Sequence, residues 1–258
     1  MTTPTAALAT RLRALHIPGQ PLILTNVYDA VTARAIADLP GTQALATASY
    51  AVAQAAGLTD ETLTYEANLA AIRSVASVAR TAHLPLTADW QDGYGPRLEE
   101  GIAQLLALGV VGINLEDTAG ATQQLMDTAE ATERVRRAVA AAQQLGVADF
   151  VVNARCDALL FGAGLDEVVQ RGKAYLDAGA TTVFVWGGGA RGGISAEEVR
   201  VLVEAFEGRL NVSMKMAPGN LGVAQLRSMG VARISIGPAL QGVGVRAFAE
   251  AAERVLSG

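Results

Sequence analysis

The sequence alternates eight times between a short β-rich apolar run and a longer Ala- and Leu-rich stretch with helical spacing. This alternation is typical of a parallel sheet whose strands are connected by helices. Eight strands in 258 residues fit a closed (β/α)8 barrel better than an open sheet of five or six strands. We therefore predict a single TIM barrel over residues 1–258. The predicted strands are Pro21–Asn26, Gln43–Ser49, Leu84–Asp89, Val110–Glu116, Ala148–Arg155, Thr181–Val185, Leu210–Lys215 and Ala232–Ile236.

The stretches between the strands predict helices that cover the barrel. Glu66–Ala82 and Ala129–Leu145 each combine an apolar and a charged face, and neither contains proline. The last segment, Gly242–Leu256, is Ala-rich and apolar on more than one face, which predicts that it packs against another subunit. The chain shows no linker, charge run or long internal repeat, so a second domain has no support.

Composition and charge exclude several classes of protein. The chain carries 20 Lys and Arg against 25 Asp and Glu, without the basic cluster that a nucleic-acid surface needs. No apolar run reaches the roughly 18 to 20 residues of a membrane span, and the first residues lack the blocks of a signal peptide. We expect a cytoplasmic protein without nucleic-acid or membrane partners. A single cysteine, Cys156, and two histidines leave carboxylates as the ligands for a metal.

Polar side chains end four of the predicted strands. In barrel enzymes the reacting groups lie at the carboxyl ends of the strands. Alternate side chains of a strand point to the same side, so paired positions can face the barrel axis together. Carboxylates beside an arginine can hold a hard divalent cation and an anionic substrate. The residues concerned are Asp89 with Gln91, Asn114 with Glu116, Asn153 with Arg155, and Lys215.

Each candidate also has a purely structural explanation. A charged residue at a strand end can cap a helix or form an ion pair at the rim. Trp186 can line the pocket or pack at its rim, and Asn211 can reach a ligand or be a hydrogen-bonded core amide. Cys156 fits a small buried apolar residue, and His16 and His83 lie where structural roles are expected.

Six short motifs occur in a specific order along the chain, and with them the sequence resembles the isocitrate lyase and phosphoenolpyruvate mutase superfamily over nearly the whole barrel. The resemblance implies a TIM barrel enzyme that assembles as a dimer or tetramer, with the final helix exchanged between neighbours. The motifs are Asn26–Ala30, Ala48–Tyr50, Gly57–Asp60, Asp89–Gly95, Gly112–Asp117 and Ala154–Ala158.

The resemblance also implies a metal site for Mg²⁺ or Mn²⁺. Asp89 corresponds to the direct ligand, and Glu116 and Asp60 correspond to partners that act through water. A hard dication that prefers oxygen ligands and keeps several waters suits this set. Gln91 stands where the family has a further acid, so the site carries one negative charge fewer and its metal affinity is expected to be lower.

For the substrate, the resemblance implies a carboxylic acid. Arg155 corresponds to the arginine that pairs with the substrate carboxylate, and the backbone N–H groups of Ser49 and Tyr50 would face the same end of the ligand. With Asp89, Trp186 and Asn211 these residues form the expected substrate-binding set. Asp60 and Arg155 are the expected catalytic residues, together with a tyrosine, Tyr28 or Tyr94, that would supply proton transfer.

The family's shared step is cleavage that leaves an enolate. Many lyases of the family carry Lys and Cys in the loop after the fourth strand, and the mutases carry Lys and Asn, but residues 118–124 contain neither Lys nor Cys. We therefore expect metal-assisted C–C cleavage or decarboxylation of a small 2-oxo or 2-hydroxy acid, including dicarboxylates. The alternatives are P–C chemistry of the phosphoenolpyruvate mutase or phosphonopyruvate hydrolase type, a Schiff base on Lys215, and 2-oxo acid binding without turnover.

Overall fold

The computed structural model describes residues 3–258, and within them it confirms the predicted barrel. Eight parallel strands form one sheet, and its two edges meet where Val27 bridges Thr47 and donates its N–H to Ala46 O at 2.8 Å. The strands are β1 Leu22–Leu24, β2 Leu45–Ala46, β3 Leu86–Asp89, β4 Val110–Glu116, β5 Val151–Cys156, β6 Thr182–Val185, β7 Leu210–Ser213 and β8 Arg233–Ser235.

Helices cover the outside of the barrel and one of its ends. The chain enters α2 through Asp29, whose Oδ1 accepts a hydrogen bond from Thr32 N at 2.7 Å, a side-chain cap that fixes where this helix begins. The helices are α1 Pro4–Ala14, α2 Ala30–Ala37, α3 Ser49–Ala55, α4 Tyr65–Thr81, α5 Leu98–Ala107, α6 Thr128–Gln144, α7 Leu165–Asp177, α8 Ala196–Ala205, α9 Val223–Ser228 and α10 Ala239–Leu256.

The first two strands are shorter than the sequence predicts. Leu22–Leu24 and Leu45–Ala46 replace the predicted Pro21–Asn26 and Gln43–Ser49. The barrel closes between these strands through a single parallel bridge, so the ladder there is short. Ser49 begins α3 instead of ending a strand.

Polar side chains fill part of the barrel interior. Asn114 Oδ1 accepts hydrogen bonds from Asn153 Nδ2 at 2.8 Å and from Arg233 Nη2 at 3.1 Å. Asn211 is fully buried, and its Oδ1 accepts from Ser235 Oγ at 3.2 Å. Its Nδ2 is buried and has no hydrogen-bond partner among the described residues, so the core-amide role accounts for only one of its two polar side-chain atoms.

The last helix, α10, leaves much of its apolar surface exposed. Phe248 is 79% exposed and Leu256 is 87% exposed. The predicted exchange of this helix between subunits, in a dimer or a tetramer, stays a prediction. Among the described residues, no helix combines the length and the apolar composition that crossing a membrane requires.

Candidate active site

A cavity of about 880 Å³ opens at the carboxyl ends of the barrel strands. Polar residues from the ends of β3, β4 and β5 meet in it, as the strand-end argument predicts. The cavity also receives residues from the turn after β2 and from the end of β6. The predicted site residues that line it are Ser49, Tyr50, Asp60, Asp89, Gln91, Glu116, Arg155 and Trp186.

Four of the residues named from the sequence lie outside this lining: Tyr28, Asn153, Asn211 and Lys215. Tyr28 packs against a small apolar cluster that contains Val52 and Leu63, because the chain turns there from β1 into α2. Asn211 is buried in the barrel interior described above. Of the two tyrosines considered for proton transfer, Tyr94 lines the cavity, and its hydroxyl accepts a hydrogen bond from Asn68 Nδ2 at 3.0 Å. Burial raises the pKa of Tyr94, so its phenol stays protonated.

Asp89 is held at the end of β3 by hydrogen bonds to its backbone and to one carboxylate oxygen. Thr47 Oγ1 accepts a hydrogen bond from Asp89 N at 2.9 Å, and Asn68 Nδ2 donates to Asp89 O at 3.0 Å. Ser49 N donates to Asp89 Oδ2 at 3.0 Å, so this N–H orients the carboxylate and is not directed at a ligand as the sequence predicted. Asp89 Oδ1 is buried and has no hydrogen-bond partner among the described residues.

Gln91 positions Asp60 instead of adding a charge. Gln91 has a left-handed backbone, with φ of 47°, and its Nε2 donates to Asp60 O at 2.7 Å and to Asp60 Oδ1 at 3.3 Å. Burial and the neighbouring Asp89 raise the pKa of Asp60, while Ser49 and Arg155 oppose the shift. Asp60 is therefore a carboxyl group that holds a proton more readily than a free aspartic acid does.

Arg155 is the cation at the centre of the cavity. Its Nη1 lies 2.9 Å from Glu116 Oε2, and its Nε donates to Asp157 Oδ1 at 2.7 Å. Its Cζ lies 5.6 Å from the centre of the Trp186 ring. Burial acts to lower the pKa of Arg155, but Asp157 and Glu116 outweigh it and leave that pKa raised. Burial raises the pKa of Glu116, and Arg155 offsets part of the shift.

A buried network behind Arg155 was not foreseen from the sequence. Asp157 Oδ2 accepts from Thr118 Oγ1 at 2.9 Å, and Asp157 N donates to Asp117 Oδ1 at 2.7 Å. Asp117 Oδ2 accepts from Tyr175 OH at 2.6 Å. The one sequence signal for this network is Asp117, which directly follows Glu116 at the end of β4. A carboxylate buried at that position needs hydrogen-bond donors nearby.

A short hairpin after β4 forms one rim of the cavity. It consists of Thr118–Ala119 paired with Gln124–Leu125. Asp92 fastens it, because Asp92 Oδ2 accepts from Gly120 N at 3.1 Å. This is the segment without Lys or Cys, so the rim supplies neither group to the cavity.

The donor set fits a magnesium ion held by few protein ligands. No group of three or more His, Cys, Asp or Glu side chains arranged to hold a metal was found in residues 3–258. Mg²⁺ needs no such cage, since it keeps several waters and takes one or two carboxylates. Asp89 Oδ1 is buried and has no hydrogen-bond partner among the described residues, which suits a direct metal ligand, and Asp60 and Glu116 line the same cavity.

Fold and site together define a (β/α)8 barrel with a carboxylate-and-arginine centre for an anionic ligand. The family model for phosphoenolpyruvate phosphomutase matches residues 12–256, and the chain belongs to this family. The match confirms the resemblance to the isocitrate lyase and phosphoenolpyruvate mutase superfamily, whose members include lyases, mutases and hydrolases.

Several relatives match over most of their length. An uncharacterized protein of Mycobacterium tuberculosis is 32% identical over 249 residues, which are 95% of this chain and 88% of the relative. The crystal structure of 2,3-dimethylmalate lyase has a TM-score of 0.83 at 29% identity. The match covers 100% of this chain and 86% of the lyase chain. The structure of phosphonopyruvate hydrolase with oxalate and Mg²⁺ has a TM-score of 0.84 at 25% identity. The match covers 100% of this chain and 88% of the hydrolase chain.

Proposed function

We propose that this chain is a Mg²⁺-dependent carbon–carbon lyase or decarboxylase that acts on a small 2-oxo or 2-hydroxy carboxylic acid. One observation carries the proposal. Asp89 offers a buried carboxylate oxygen without a partner to the same cavity in which Arg155 presents a permanent cation. An anionic acid that also binds a hard cation is the ligand that uses both groups.

The protein's own groups divide the work between binding and proton transfer. Asp89 would hold the metal, with Glu116 and Asp60 through water, and a bound Mg²⁺ would supply Lewis-acid stabilisation of negative charge that develops on the substrate. Arg155 pairs with a substrate carboxylate and orients it, and its two acidic partners hold the guanidinium in place. Asp60 lines the same cavity and would act as the proton donor or acceptor.

P–C chemistry is the second candidate, and the structural similarity to phosphonopyruvate hydrolase favours it. Against it stands the hairpin after β4, which brings no lysine to the cavity rim. Binding without turnover is the third candidate. The three differ in their products, so one assay separates them.

The test combines binding with product analysis. Purified protein is incubated with Mg²⁺ and a panel that contains oxaloacetate, 2-methylmalate and phosphonopyruvate, and the products are followed by proton NMR and by phosphate release. A lyase or decarboxylase forms a shorter 2-oxo acid without phosphate. Phosphate or phosphoenolpyruvate formed from phosphonopyruvate would move the assignment to P–C chemistry, and tight binding with no product would make the chain a binding protein.

Three variants tie the activity to the site. Asp89→Asn keeps an acceptor for Ser49 N but removes the charge, and we expect the melting-temperature rise on Mg²⁺ addition to disappear. Arg155→Met is expected to lower kcat/KM by about 100-fold or more. Asp149→Asn is the matched control, because Asp149 contacts Thr10 on the surface and lies outside the cavity. Full activity of Arg155→Met would refute the proposed site.

A further inference from the structure

One side of the cavity is lined by large apolar side chains, and nothing in the chemistry above uses them. They come from the turn after β5 and from the end of β6. Leu160 is 45% exposed and Phe161 is 42% exposed, although both lie in a concave site. We name this surface the apolar wall, and it consists of Leu160, Phe161, Phe184 and Trp186.

The apolar wall is held in place by its own packing. The Phe184 and Trp186 rings lie 6.1 Å apart, centre to centre, at a tilt of 53°. Leu160 lies over Gly188, where a methyl group would come within 2.5 Å of Leu160 Cδ2. Gly188 also has a φ of 73°, a left-handed backbone conformation that favours glycine. These contacts connect Phe184 with Trp186, and Leu160 with the turn at Gly188.

The wall meets the charged part of the site at Arg155. The Arg155 Cζ lies 5.9 Å from the centre of the Phe184 ring and 5.6 Å from that of Trp186, and its Nη1 lies 2.9 Å from Glu116 Oε2. A ligand whose carboxylate pairs with Arg155 is therefore within reach of both aromatic rings. A two- to four-carbon acid leaves most of the wall in contact with water.

The cavity has room for a larger ligand. Its volume of about 880 Å³ lies within the range of about 300–1,000 Å³ that encloses drug-sized organic molecules. Covering half-exposed apolar side chains with an apolar ligand group is favourable, in proportion to the area removed from water. An extended charged substrate would gain nothing from this surface.

We infer that the preferred substrate carries a bulky apolar or aromatic substituent on its 2-oxo or 2-hydroxy acid group, and that Trp186 and Phe161 determine this selectivity. The inference rests on the proposed function, because it assigns the acid group to the metal and Arg155 side of the cavity. It adds the chemical class of the rest of the molecule.

Calorimetric titrations of the full chain in Mg²⁺ test the inference with three probes: oxalate, pyruvate and phenylpyruvate. We expect phenylpyruvate to bind at least tenfold more tightly than pyruvate. Trp186→Ala is expected to weaken phenylpyruvate binding by about 10- to 50-fold and oxalate binding by less than threefold. Phe161→Ala is expected to act in the same direction. Val31→Ala, a change at a 76% exposed residue outside the cavity, is the control and leaves all three affinities unchanged.

The outcomes separate the two proposals. Equal affinity for pyruvate and phenylpyruvate, with oxalate bound in an Mg²⁺-dependent manner, overturns the selectivity and leaves the proposed function intact. Loss of oxalate binding in Trp186→Ala to the same extent as phenylpyruvate binding also overturns it, because the ring would then only support Arg155. Binding of none of the three probes overturns both proposals.

Discussion

His16, which follows α1, gives the fold a specific sensitivity to acid. Its Nδ1 lies 2.9 Å from Leu12 O, and its Nε2 is buried without a hydrogen-bond partner among the described residues. Burial, with the nearby Arg233 cation, lowers the pKa of His16 from 6.5 to about 3. The folded protein therefore keeps this ring neutral at a pH where the unfolded chain binds a proton.

The sign and the size of the effect follow from this difference in pKa. The unfolded state binds more protons than the folded state between pH 6.5 and about 3, so stability falls as the pH falls through that window and is level above it. Between pH 7.5 and pH 4.5 the loss is about 2.7 kcal/mol, at about 1.36 kcal/mol for each pH unit below 6.5. Because part of the ring is accessible, screening by water reduces this, and we expect about 2 kcal/mol.

Urea unfolding of the wild type and of His16→Asn at pH 7.5 and pH 4.5 measures this term. The asparagine amide can still donate to Leu12 O but does not titrate. Carboxylate contributions are common to both proteins, so the variant should lose about 2 kcal/mol less than the wild type between the two pH values. His83→Asn, which removes an exposed histidine, is the matched control. If His16→Asn and the wild type lose the same stability within about 0.5 kcal/mol, the buried neutral histidine is refuted.

Three further substitutions test other parts of the structure. In α7, Gly172→Ala places a methyl group against the Phe206 ring, and we expect the free energy of unfolding in urea to fall by about 1–3 kcal/mol. An unchanged unfolding midpoint would contradict this packing. Tyr175→Phe removes the hydroxyl that donates to Asp117 Oδ2. Because that carboxylate is buried, we expect the free energy of unfolding at pH 7 to fall by about 1–3 kcal/mol. Unchanged stability would mean that the hydroxyl is dispensable. Gln91→Asp adds an acid to the cavity, and titration calorimetry should show Mg²⁺ binding strengthened by about tenfold. Unchanged Mg²⁺ affinity would mean that position 91 is too far from the metal to affect it, and weaker binding would mean that the lost hydrogen bonds to Asp60 outweigh the added charge.

Local patterns were sufficient to predict the fold because each strand of the barrel is a short apolar run between helical stretches. Val110–Glu116 was predicted with its exact bounds, since both of its faces are buried and its ends are sharp. The strands next to the closure were predicted too long. Their length depends on the single bridge between Val27 and Thr47, a contact that no local pattern encodes.

Which side chains reach the site was partly predictable, but their pairing was not. The position of Asp89, Glu116 and Arg155 at strand ends follows from chain order. The partner of Arg155 at Asp157 depends on a turn geometry two residues later, and the barrel-crossing bond from Arg233 to Asn114 joins positions 119 residues apart. The alternation of side chains along β8 predicts that Arg233 points into the barrel, but it does not predict which residue Arg233 contacts across the barrel.

The pairing explains why the proposed metal and substrate should bind together. Four acids, Asp60, Asp89, Glu116 and Asp157, lie around Arg155, so the centre of the cavity carries more negative than positive charge when they are ionised. Burial opposes this excess by raising the pKa of Asp60 and of Glu116. A divalent cation opposes it more strongly, and a site neutralised in that way accepts an anionic acid at Arg155 at a lower electrostatic cost. Because coupling between two ligands is reciprocal, the acid must strengthen Mg²⁺ binding by the same factor.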